Sequence, residues 1–207
     1  MLIFYGENAT SMEKTALDDL VDDLEQVGKT KVETKTISQQ NFDSVFSQLP
    51  EGTQIIVIGT LQTNPALKSW AKDGLINLSA DNPGKRGGIV KRISFQSKKD
   101  EKIEALILGG SDPQGAQYAV YDFSHNDLGV DPFQYWTGVE PSTIEDFTIE
   151  NVSNRVVEPP IVPILGYFDN DNDELANMTK PYLEFSFEHW KEIIKSLVRL
   201  KYNAIDI

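Results

Sequence analysis

Hydrophobic positions along the chain alternate between two rhythms. Short apolar runs at 2–5, 54–58 and 105–108 read as strands, and the last two are continuous enough to be covered on both faces. Met12, Ala16, Leu20, Leu24 and Val27 recur at helical spacing behind Thr10, whose partner Glu13 completes a capping box, and Gly28 ends that helix. Lys31 to Ile37 alternates as a strand, and Phe42, Val45, Phe46 and Leu49 mark a short helix before Pro50. Asn64-Pro65 opens another helix, which holds Leu67 and Trp70 and stops at Gly74. Ile89 to Gln96 and Lys102 to Leu108 form a hairpin pattern around the charged turn 97–101.

The stretch from Glu104 to Pro141 is the most strongly patterned. Ser111 or Asp112 can cap a helix, and Pro113 suits its first turn, where a missing N–H costs nothing. Ala116, Ala119, Val120, Phe123 and Leu128 make the stripe expected to face a sheet, with Gly129 placed to end the helix. A glycine turn ahead of a helix can bind phosphate. Here GGSDPQG matches neither glycine-rich nucleotide pattern, sets Asp112 where an anion would sit, and loses a donor at Pro113, so an ordinary capped helix is expected. The whole pattern predicts an α/β class, a mixed sheet with helices packed on it.

Beyond Pro141 the periodicity fades. Pro141, Pro159, Pro160 and Pro163 punctuate a linker with a strand or two. Ile164 to Phe168 then reads as a strand, and Phe187 to Lys201 as a helix with Phe187, Trp190, Ile193, Ile194, Leu197 and Leu200 inward. Asn203 to Ile207 is a second strand. One strand-helix-strand unit is too small to bury its own apolar faces. The domain expectation is therefore 1–145 as an α/β domain, 146–163 as a linker, and 164–207 as the start of something larger. The apolar edge of Ala204 to Ile207 would invite association, which leaves a homo-oligomer open.

With 207 residues, 40% of them hydrophobic, the chain can bury one good core and a partial second. A net charge of −13 and a pI near 4.5 argue against a nucleic-acid partner, which needs clustered basic surface. The densest basic patch, 85–92, reads as a turn into an exposed strand edge, where basic residues discourage edge pairing. The absence of cysteine excludes disulfides, thiolate metal sites and cysteine nucleophiles. No segment has the apolar length of a membrane span, so no membrane partner is expected. A cytoplasmic protein is expected if Met1 is the native start, and a secreted or periplasmic one if an export signal has been removed.

Several segments together resemble glycoside hydrolase family 115, the xylan α-1,2-glucuronidases. IIVIGTLQTNPALKSWAKDGLINL, SDPQGAQYAVYDFS and GVDPFQYWTGVEP are similar to that family's N-terminal region, with Gln62 and Thr63 near its Gly-Lys-Ser turn and Pro113-Gln114 in place of Lys-Arg. LGYFDND and SLVRLKYNAIDI resemble the entrance to its catalytic barrel, with Leu200, Lys201 and Asn203 in step. Leu165, Asn172 and Asp206-Ile207 depart from the pattern, the last where a barrel strand delivers residues to the active-site face. The resemblance covers roughly 55–206. It implies an N-terminal α/β domain, a linker, and the first β/α unit of a truncated (β/α)8 barrel. It further implies a non-catalytic, inactive region of an enzyme whose partner is carbohydrate, a polysaccharide or oligosaccharide such as glucuronoxylan, with no cofactor. The alternative is a stand-alone carbohydrate-binding or interaction module.

The most acidic cluster, Asp169-Asn170-Asp171-Asn172-Asp173-Glu174, admits three readings. Asp169, Asp171 and Asp173 imitate a calcium loop, but Glu174 stands at the glycine position and Lys180 at the bidentate one, so no metal is assigned. A solvated acidic loop is the plain reading. The resemblance instead matches Asn170 and Asp171 to the family's Asn-Asp pair, as substrate-binding residues that hydrogen-bond the sugar. Glycosidic cleavage needs carboxyl groups on both sides of the bond, and this chain supplies at most one side, so no catalytic residue is named. His125 and His189 lack a third ligand at metal spacing and read as surface or boundary histidines. Phe133, Tyr135 and Trp136 form an aromatic exit loop that either packs the domain or stacks on sugar rings.

Overall fold

A computed structural model describes residues 1–28, 31–97, 102–168 and 186–206. The chain divides into two compact units, Met1–Val130 with Pro141–Pro159, and Asp131–Glu140 with Pro160–Ile207.

The first unit is a mixed six-stranded sheet between helices. In chain order it runs β1 (Leu2–Gly6), α1 (Ser11–Gly28), β2 (Glu33–Ile37), α2 (Phe42–Phe46), β3 (Gln54–Thr60), α3 (Pro65–Lys72), β4 (Gly88–Gln96), β5 (Lys102–Gly110), α4 (Pro113–Asn126), a 3₁₀ turn (Ile149–Asn151) and β6 (Arg155–Val157). The strand order is β2-β1-β3-β5-β4-β6. β2, β1, β3 and β5 are parallel, and β4 is antiparallel to both β5 and β6. Ile55 to Ile58 and Ala105 to Leu108 are buried on both faces, as continuous apolar runs require. One face carries Ile55, Val57, Ala105 and Ile107 against Phe46, Leu67 and Trp70 of α2 and α3. There Phe46 stacks on Trp70 at 5.7 Å, edged by Phe4 at 5.1 Å and Phe95 at 5.4 Å. Each such side chain contributes about 1.5–3 kcal/mol through burial. The opposite face is covered by α1 and α4, which pack on each other and on the sheet.

Local chemistry starts each helix. Thr10 N–H donates to Glu13 Oε2 at 2.7 Å and Glu13 N–H to Thr10 Oγ1 at 3.4 Å, closing the capping box. Asn64 Oδ1 caps α3 through Ala66 N–H, and Asp112 Oδ1 caps α4 through Gly115 N–H at 2.8 Å, each ahead of a proline. Met12, expected on the inner face of α1, is exposed. The buried stripe is Glu13, Ala16, Leu17, Leu20, Leu24 and Val27, with the capping carboxylate taking the inward place in the first turn. α4 is buried more fully than one stripe, since Tyr118 and Tyr121 also lie inside, and the Tyr121 hydroxyl donates to Asp19 Oδ2 of α1 at 2.7 Å.

The basic patch is not an edge. β6, supplied by the segment expected as a linker, pairs with Gly88 to Val90 and covers the outer side of β4. Arg92 N–H donates to Asn154 Oδ1 at 2.6 Å, and the Arg92 guanidinium to the Glu150 carbonyl. Arg155 of β6 reaches α4, donating to Asp122 Oδ1 and Asp127 Oδ2, both at 2.5 Å. Burial works against this cation, but the hydrogen bonds and charges of Asp127 and Asp122 hold its pKa above the ordinary value.

The glycines of this region meet backbone to backbone. A Cβ on Gly115 would lie 2.1 Å from the Gly87 carbonyl oxygen, and one on Gly110 would lie 1.9 Å from Ala116 N. Ser111 N–H donates to the Gly87 carbonyl at 3.0 Å, and Arg86 N–H to Asp112 Oδ2 at 2.9 Å. The start of β4 is thereby sewn to the first turn of α4.

The second unit holds α5 (Gln134–Thr137), β7 (Gly166–Phe168), α6 (Phe187–Arg199) and β8 (Ala204–Asp206). β7 and β8 are parallel, with Phe168 opposite Asp206. Asn203 links them further, its Nδ2 donating to the Pro163 carbonyl and its Oδ1 accepting from Leu165 N–H. Of the residues expected inward on α6, Ile193 and Leu197 are buried and Phe187 is 79% exposed. Ile194, on the same stripe, is 43% exposed, so among the described residues the stripe is covered only in part.

Gly115→Ala is expected to lower stability by about 3 kcal/mol or more, because backbone atoms must give way. Gly52→Ala meets open space at φ +75° and is expected to cost only about 1 kcal/mol. Urea unfolding followed by circular dichroism measures both, and equal costs would show the helix contact to be slack.

Candidate functional site

In an open α/β sheet, ligands bind where neighbouring strands send their connections to opposite sides, at the carboxyl ends. In the first unit that position lies between β1 and β3. It is closed. The Thr63 hydroxyl donates to Glu13 Oε1 at 2.5 Å and accepts from Thr60 N–H at 3.0 Å, and Asn64 Nδ2 donates to the Ile58 carbonyl at 2.8 Å. A Cβ on Gly6 would sit 1.7 Å from the Thr63 carbonyl oxygen, so the two loops touch across the crevice. The α4 N-terminus is also filled, since both Asp112 carboxylate oxygens accept backbone N–H groups there. This is the arrangement that the residues of GGSDPQG anticipate.

In the second unit the carboxyl ends of the strands are marked by Phe168 and Asp206. Because β7 and β8 are parallel and α6 joins them, α6 runs back along the pair and its first turn lies at their carboxyl end. Ser186 caps it, accepting from His189 N–H at 3.2 Å. The Tyr135 hydroxyl shares a hydrogen bond with His189 Nδ1, and their rings meet edge to face at 5.5 Å, which ties α5 to that turn. Phe133, Tyr135 and Trp136 are 48%, 39% and 41% exposed. Trp136 lies 5.8 Å from Phe133 at 49° and 5.9 Å from Tyr135 at 72°, so the rings are splayed and leave faces uncovered. Such faces suit the C–H surface of a sugar ring. Asp206, at the end of β8, is an exposed carboxylate at the same end of the sheet.

Asn170 and Asp171 lie outside the described residues, as does the rest of 169–174. In sequence they follow the carboxyl end of β7 at Phe168. His125 takes a local role, its Nδ1 lying 3.3 Å from the Val130 carbonyl. Among the described residues, no three His, Asp or Glu side chains converge as a metal site would require. His189, expected at the surface or boundary, is half-buried, and its bond to Tyr135 was not anticipated. Nothing local could have signalled a pairing across 54 residues.

No protein-family model matches the chain, and no curated protein matches it. Among solved structures, a family GH115 4-O-methyl-α-glucuronidase with specificity for decorated arabinogalactans superposes at a TM-score of 0.66, over 99% of this chain at 23% identity. The fold is GH115-like. The chain spans 24% of that enzyme's length, so the GH115-like resemblance concerns one region of a much larger protein. At this identity it concerns the fold alone.

Tyr135→Phe is expected to speed amide exchange in α5 about fivefold, as one hydrogen bond worth about 1 kcal/mol is lost. Hydrogen exchange resolved to 134–138 measures this, and unchanged rates would show that His189 does not hold α5.

Proposed function

We propose that this chain is the N-terminal, non-catalytic region of a glycoside hydrolase related to family 115, whose substrate is a plant polysaccharide such as glucuronoxylan. The observation that carries the reading is the alignment of nearly the whole chain, both units included, with one region of a GH115 4-O-methyl-α-glucuronidase. In this reading β7, α6 and β8 are the first strand-helix-strand of a (β/α)8 barrel, and the edge strands of the small sheet pair with further strands. Asn170 and Asp171 follow β7 at the barrel face that carries active sites, where an amide and a carboxylate hydrogen-bond sugar hydroxyls. Phe133 and Trp136 stack against the saccharide beside them. Hydrolysis needs an acid and an opposed carboxylate, which later strands supply, so the chain alone is inactive.

A second reading, a stand-alone carbohydrate-binding module, is favoured by the exposure of the aromatic trio. The two separate in one experiment. The gene product extended past Ile207 is assayed on glucuronoxylan, decorated arabinogalactan and aryl glycosides beside the 207-residue chain. Glycosidase activity from the long form alone is expected. A reading frame that stops near Ile207, with glycan binding by the short chain, would replace the enzyme reading by the module. In the short chain, Trp136→Ala is expected to weaken glycan retention in affinity electrophoresis by about two- to tenfold, the range of one aromatic contact.

A further inference from the structure

The face of the large sheet that carries α2 and α3 is left partly uncovered at its outer strands. There the loop after α3 stands off from β4 and β6 and encloses a cleft of about 460 Å³, within the range of small-molecule sites. Its lining combines apolar Pro83 and Val156 with Lys91 and the amides of Asn77, Asn82 and Asn154. Part of each fixed amide is already used. Asn154 Oδ1 accepts from Arg92 N–H at 2.6 Å, and Asn82 Nδ2 donates to the Asn77 carbonyl at 3.2 Å. Among the described residues, what remains is the Asn154 amino group as a donor and Asn82 Oδ1 as an acceptor. Among the described residues, neither the Asn77 side chain nor the Lys91 ammonium has a hydrogen-bonding or ion-pair partner.

Lys91 thus brings to the cleft a positive charge that no described residue pairs, in a chain of net charge −13, while Arg155, which also lines it, is held by Asp122 and Asp127. The Lys91 charge favours an anionic group at one end of the cleft. Amides with donors and acceptors to spare suit vicinal hydroxyls, which both give and take hydrogen bonds. Val156, 52% exposed, and Pro83 offer apolar surface to the C–H side of a ring. We propose that this cleft binds a small polyhydroxylated carboxylate, a sugar acid, with its carboxylate on Lys91 and its hydroxyls on Asn77, Asn82 and Asn154. A simple inorganic anion would leave the amides and the apolar wall unused. The site belongs to the first unit and stands whether or not the enzyme reading holds.

The test is a ¹⁵N-resolved NMR titration of the 207-residue chain with D-glucuronate, with D-glucose in parallel. Saturable shifts are expected at 74–83, 89–91 and 154–156, with glucose binding at least about tenfold more weakly, the loss of one charge-assisted contact. Lys91→Gln should weaken glucuronate by a similar factor. Val156→Trp, which fills the mouth from an exposed position, should abolish binding, and unchanged core amide shifts verify that each variant is folded. Absence of saturation, shifts confined to other residues, or equal affinity for the two sugars or for Lys91→Gln would overturn the proposal.

Discussion

The first unit depends on how closely the start of β4 approaches the first turn of α4. Gly87 and Gly115 meet with no room for a side chain, and Gly110 turns directly beneath Ala116. This approach lets Asp112 serve two masters, capping α4 through Gly115 N–H and holding the incoming loop through Arg86 N–H. It also fixes where β4 begins, and hence the register in which Gly88 to Val90 receive β6. Arg155 then returns from β6 to Asp122 on α4 and to Asp127 at its C-cap, so helix and outer strands are closed into one loop of contacts. A packed interior of this kind resists local change, because any added volume must displace backbone.

The same closeness decides where chemistry can and cannot reside. The crevice between β1 and β3 is occupied by Glu13, Thr63 and Asn64, all satisfied by one another or by backbone. The helix N-terminus that resembles a phosphate cradle is neutralised by its own aspartate. The large sheet is thus a scaffold at the positions where such sheets usually bind ligands. The second unit has the opposite character. Among the described residues its strands end in exposed positions, its aromatic rings are splayed, and Phe187 and Ile194 of its helix stand exposed. In the reading proposed above, this is the unit that further barrel strands would cover.

Most of the large sheet was legible because its strands and caps announce themselves locally. Continuous runs such as Ala105 to Leu108, the Thr10/Glu13 box and the Asn64-Pro65 and Asp112-Pro113 starts need only neighbours in sequence. What escaped was long-range. Patch 85–92 read as an edge because the pairing of β4 with β6 spans more than sixty residues and involves only three residues of β6. Met12 was read inward because periodicity cannot tell that a capping glutamate will take the inner position. On α6, Phe187 and Ile194 fit the helical stripe as well as Ile193 and Leu197 do, and only the extent of the unit's own packing separates them. At the site, the aromatic loop was visible as composition, whereas its anchoring by His189 was not.

The central functional claim, that saccharide meets the carboxyl end of β7 and β8 and not the sheet crevice, is tested most directly by hydrogen-exchange footprinting. The gene product extended past Ile207 would be compared with and without a saturating xylo-oligosaccharide. Slowed exchange at 133–138, in the first turn of α6 and at 204–206, with no change at 6–13 and 60–64, is the result that supports it. Slowing at 6–13 and 60–64, with none in the second unit, would contradict it and make the first unit the binding domain.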